Sequence, residues 1–124
     1  MELSRKQINE LITGVLLSAE ISSSSPELRH FVSVRGYIET ERGKDVLDNY
    51  INESKLETTV FFIMDYEVPK EYIENDWEIP DNKIMNGIFM EGIVGIENVQ
   101  KELKKHIPDL SLLKTHWKCA APLG

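Results

Sequence analysis

Apolar positions along the chain change their period several times, and each change marks an element. Ile8, Leu11, Ile12, Val15, Leu16 and Ala19 recur at helical spacing, giving one apolar face near the N-terminus. Ser4 and Gln7 supply the S-x-x-Q capping box in front of it, with Leu3 and Ile8 at the two positions of a hydrophobic staple. Gly14 weakens the middle of this predicted helix. Ser25 followed by Pro26 resembles a second helix start. In HFVSVRGYIE, His30, Val32, Val34 and Ile38 alternate as in a strand, while Leu28, Phe31, Val32 and Arg35 would suit a helix; the strand reading is taken. Residues 41–54 read as a helix with Val46, Leu47, Tyr50 and Ile51 on one side.

Residues 58–64, TTVFFIM, form a continuous β-rich apolar run, the pattern of a central strand covered on both faces. Pro69 and Pro80 then predict a loop over residues 65–82, with one short helix around 70–76. KIMNGIFMEGIVG reads as a strand broken at Gly87 and Gly92. Ile96, Val99, Leu103 and Ile107 mark a further helix, with Lys104, Lys105 and His106 in its last turn and Pro108 as its stop. LLKTHWKCA closes the chain as a short strand or as a poorly ordered tail. The pattern predicts one α+β domain over residues 1–124, about three helices packed on a small, mostly antiparallel sheet of three to five strands.

Composition narrows the function classes. At 124 residues, 41 % apolar and 28 % charged, the chain has the make-up of a globular protein with one core. No apolar run approaches the roughly 18 residues that span a bilayer, and MELSRKQINE lacks a secretory apolar stretch, so a cytoplasmic protein is expected. A net charge of −7 argues against nucleic acid or an anionic membrane as partner, because phosphates would be repelled. Cys119 stands alone, which leaves no disulfide within the chain and no thiolate zinc site.

Catalytic and cofactor patterns are weak. His116-x-x-Cys119 could pair in a helix but points to opposite faces in a strand. His30, His106 and His116 show no metal-ligand spacing, and the glycines miss both phosphate-loop and dinucleotide spacing. We therefore read no catalytic set, no metal and no cofactor.

Charge distribution is the more informative feature. DYEVPKEYIENDWEIPDN, residues 65–82, holds seven acids against Lys70, a formal −6 out of the chain's −7. Tyr66, Tyr72 and Trp77 are interleaved with Asp65, Glu67, Glu71, Glu74, Asp76 and Glu78. Aromatic anchors rimmed by charge are what protein interfaces enrich. The same aromatics could instead pack a long loop onto the core, leaving the acids solvated. Residues 101–118 carry five lysines, so complementary patches would permit a monomer or a weak dimer.

In that segment, about one-seventh of its length, the chain resembles bacterial toxin immunity proteins of the colicin and contact-dependent growth inhibition kinds. The resemblance implies a partner, a cognate basic toxin such as a nuclease domain, whose active cleft is blocked by the acidic, aromatic-bearing loop. The site residues, Asp65, Tyr66, Glu67, Glu71, Tyr72, Glu74, Asp76, Trp77 and Glu78, come from their own chemistry rather than from any family position. Two other roles fit the composition: a secretion chaperone for an effector, and a small enzyme using Cys119 with a histidine.

Overall fold

The N-terminal helix stops at a glycine. The computed structural model describes residues 2–40, 43–45 and 59–123. In it α1 spans Arg5–Ile12 and opens on the expected capping box. Gln7 N–H donates to Ser4 Oγ at 3.1 Å, and Ser4 N–H to Gln7 Oε1 at 2.8 Å. The same Gln7 amide donates to the carbonyls of Leu110 (2.8 Å) and Leu113 (3.0 Å), tying the helix start to a distant turn. The spacing predicts helix as far as Ala19, but Gly14 adopts φ +88°. Val15 N–H then reaches the Glu10 carbonyl and Gly14 N–H that of Leu11, the two bonds of a Schellman ending. Leu17–Ile21 continues as β1, so the apolar residues after Gly14 serve a strand.

A turn joins β1 to β2 (Leu28–Thr40), where Ser25-Pro26 predicts a helix start. Leu28 N–H donates to the Ser25 carbonyl at 3.1 Å, and Pro26 sits at a corner its fixed φ suits. The strand reading of HFVSVRGYIE holds. Gly43–Asp45 forms β3, paired with Ile38–Thr40 rather than helical. The rest of the predicted 41–54 helix, including Val46, Leu47, Tyr50 and Ile51, lies outside the described residues.

β4 (Val60–Pro69) begins within TTVFFIM and runs five residues beyond it. Then come α2 (Lys70–Glu74), β5 (Met85–Val94), α3 (Ile96–Leu103) and β6 (Lys114–Thr115). The main sheet has the order β5-β4-β2-β1-β6 with antiparallel neighbours, and β3 extends β2. The chain is thus a small α+β fold, as its pattern predicts. No helix among the described residues is long and apolar enough to cross a membrane.

Each sheet face has its own cover. Leu17, Ala19, Val32, Val34, Phe61 and Ile63 face α1 and α3, whose Leu11, Ile12, Val99 and Leu103 complete the larger core. Phe31, Tyr66 and Val68 lie on the other face, beneath Ile73, Ile79, Ile84 and the tail residues Cys119, Ala121 and Leu123. The tail is held there by a hydrogen bond from Leu123 N–H to the Tyr66 hydroxyl at 3.2 Å. The segment after β4 therefore folds back over one end of the sheet.

Candidate functional site

Strand alternation divides the acidic segment into two chemically different parts. β4 continues through Asp65, Tyr66 and Glu67, correcting the loop expected there; pairing with β2 opposite Val32, Phe31 and His30 outweighs the local charge. Tyr66 is fully buried, with its ring centroid 5.9 Å from that of Phe31. It is a core residue, not a docking anchor. Burial pushes its phenol up to about 12, against the lowering effect of hydrogen bonds with Leu123 and Ser33. Asp65 and Glu67, at 8 % and 3 % exposure, are likewise interior groups rather than elements of an outward acidic surface.

Beyond Pro69 the chain runs along the surface. α2 forms where one short helix is expected, and Ile73, Ile79 and Ile84 grip the sheet. Glu71, Glu74, Asp76, Glu78 and Asp81 point outward and are exposed. Trp77 is 53 % exposed and meets Tyr72, itself half-buried, edge to face at 5.5 Å. Asp76 takes φ +52°, and Trp77 N–H donates to the Tyr72 carbonyl at 2.8 Å, which fixes the turn presenting the indole. Among the described residues the ion pairs lie elsewhere: Glu20–Arg29 at 2.6 Å, Glu2–Lys104 at 2.8 Å and Glu102–Lys105 at 3.1 Å. Among the described residues none of the five outward carboxylates takes part in one.

A histidine–carboxylate network with no local sequence motif sits on the helix side of the sheet. One Asp65 oxygen bonds His30 Nε2, and the other lies 2.6 Å from His106 Nδ1. The far nitrogens are also engaged, His30 Nδ1 with the Ser22 carbonyl at 3.2 Å and His106 Nε2 with Glu102 at 3.4 Å. Next to it Glu67 accepts from Ser24 N–H at 2.7 Å, from the Ser24 hydroxyl at 2.9 Å and from Asn86 Nδ2 at 2.7 Å. Burial pushes the Glu67 carboxyl up, but the Ser24 and Asn86 hydrogen bonds and the charge of His30 outweigh it and hold it below its usual range. These bonds tie β2, β4, β5 and the end of α3 together. Among the described residues no group of three or more His, Cys, Asp or Glu is placed to hold a metal ion.

His116 and Cys119 follow different surroundings. His116 Nδ1 lies 3.3 Å from Ser18 Oγ, which bonds Ser33 Oγ at 2.7 Å, whereas Cys119 packs against the Phe31–Tyr66–Val68 cluster. Comparison with protein-family models, with curated proteins and with solved structures found no match.

Proposed function

We propose that this protein is an inhibitor of the immunity type, which binds a cognate basic toxin, a nuclease domain, and covers its cleft with the face formed by residues 71–81. One observation carries the reading: five outward carboxylates with no ion pair among the described residues lie about an exposed tryptophan on a segment anchored by Ile73, Ile79 and Ile84. A nuclease cleft is basic because it binds phosphates, so a firmly held acidic surface competes for the same groups. Trp77 and Tyr72 supply contact area at low rotamer cost, while the carboxylates steer encounter and reject acidic partners. Tyr66 lies beneath that face and Asp65 and Glu67 brace the same strand from its other side; Glu71, Tyr72, Glu74, Asp76, Trp77 and Glu78 form the contact set.

The reading is tested by isolating the basic protein that co-purifies one-to-one with the chain and assaying it for nuclease activity. Activity that appears in the free partner and is suppressed when this protein is returned supports it. A partner without nuclease activity, or one fully active in the complex, contradicts it.

A further inference from the structure

β5 ends the sheet, and among the described residues no strand pairs with its outer edge. Edge strands are usually shielded by lysine, proline, inward-pointing charge or bulges. β5 carries no Lys, Arg or Pro, and Glu91 is its one charged residue. Its apolar side chains are displayed on both faces. Ile88, paired with Asp65, is 49 % exposed, and Phe89, paired with Met64, is 55 % exposed. Register shifts between Phe61 and Ile63 and between Asp65 and Glu67 mark bulges in β5, at Gly92 (φ +75°) and Asn86 (φ +53°). Between these bulges Ile88, Phe89 and Met90 pair regularly with β4, which leaves a three-residue stretch of regular strand whose other edge is unpaired among the described residues.

Acids stand at both ends of this edge. An open cavity of about 680 Å³ beside Met85 is lined by Glu27, Leu28, Pro69, Glu71 and one cation, Lys70. At the other end Glu97 is exposed in the first turn of α3. We infer that the edge of β5 is a strand-docking site for an extended, cationic segment of a partner protein, with alternate apolar side chains over Ile88 and Phe89 and its basic side chains reaching the flanking carboxylates. Strand addition draws its affinity from backbone hydrogen bonds and its selectivity from alternate side chains. The carboxylates favour a basic strand and, on a chain of net charge −7, disfavour a second copy of this one. The inference rests on the basic-partner reading above and adds the mode of contact.

The test uses the full chain and a peptide of about ten alternating Lys and Val residues, matched to the length of β5. Amide exchange is read by NMR with and without the peptide. The alternate amides within residues 87–91 that point away from β4 slow about tenfold or more on binding. Affinity falls about tenfold or more when alternate peptide amides are N-methylated, or when Ile88→Lys and Phe89→Lys are introduced together in a protein whose unfolding midpoint is retained. A Glu–Val peptide does not bind. Binding that is lost in Glu71→Lys/Glu74→Lys but leaves β5 exchange unchanged overturns strand docking while sparing the basic-partner reading. Equal binding of the Glu–Val peptide overturns the cationic occupant. Slow β5 exchange in the free protein that grows with concentration identifies a second copy instead, and no peptide binding overturns the proposal.

Discussion

Asp65 and His106 join the middle of the sheet to the end of α3: the imidazole Nδ1 stands 2.6 Å from Oδ2 of a carboxylate whose other oxygen is taken by His30. Asp65 is an interior group with both oxygens in use, so losing its charge weakens two charge-assisted bonds at once. Asp65→Asn lowers stability by about 2–3 kcal/mol, read as a shift in the urea unfolding midpoint. An unchanged midpoint would show that the network contributes nothing to folding.

Glu67 gives the fold a dependence on acid. Its carboxyl is held below the ordinary value of 4.5, so folding favours the ionised form. That stabilisation is fully present above 4.5, and it is lost as pH falls from there through the lower folded value. Urea midpoints measured from neutral pH downward therefore drop in this acid window, and Glu67→Gln flattens that part of the curve. A variant with the same acid slope as the natural chain would assign the effect to other carboxylates.

Gly14 decides where α1 ends. At φ +88° a Cβ is strained, so Gly14→Ala costs about 1 kcal/mol, although alanine is the better helix former. Thermal unfolding reads the sign directly; stabilisation would mean that the helix extends when the glycine is removed.

The outward acids behave differently from the inward ones. Glu71→Lys and Glu74→Lys change stability by no more than about 0.5 kcal/mol, since both side chains are exposed and neither joins an ion pair among the described residues. Glu67→Lys, by contrast, places a cation where Ser24 and Asn86 donate, and it unfolds the chain or leaves it insoluble. Circular dichroism melts of the purified variants separate the two classes.

Local rules made much of this legible. The capping box of Ser4 and Gln7, the β-rich run at 58–64, and the helix of Ile96, Val99 and Leu103 each carry their signal within a few residues. Val15 to Ala19 misled because apolar spacing there suits a helix as well as a strand, and only the backbone at Gly14 separates them. Asp65 and Glu67 fall in the predicted loop because Pro69 and Pro80 read as breakers of the whole segment, whereas the strand runs on until Pro69. Ile63, Asp65 and Glu67 share one face of β4, with Tyr66 and Val68 on the other, and that period is visible in IMDYEV. The meeting of His30, Asp65 and His106 has no such trace, because sheet pairing and the packing of α3 bring together residues 35 and 41 positions apart.

The most direct measurement is a paired capture from lysate of the source cells at low salt, with the natural chain and with Glu71→Lys/Glu74→Lys/Asp76→Lys side by side. The account predicts one stoichiometric basic protein on the natural chain, released by raised salt and missing from the folded variant. The same protein retained equally by both chains would contradict it, as would the absence of any basic partner on the natural chain.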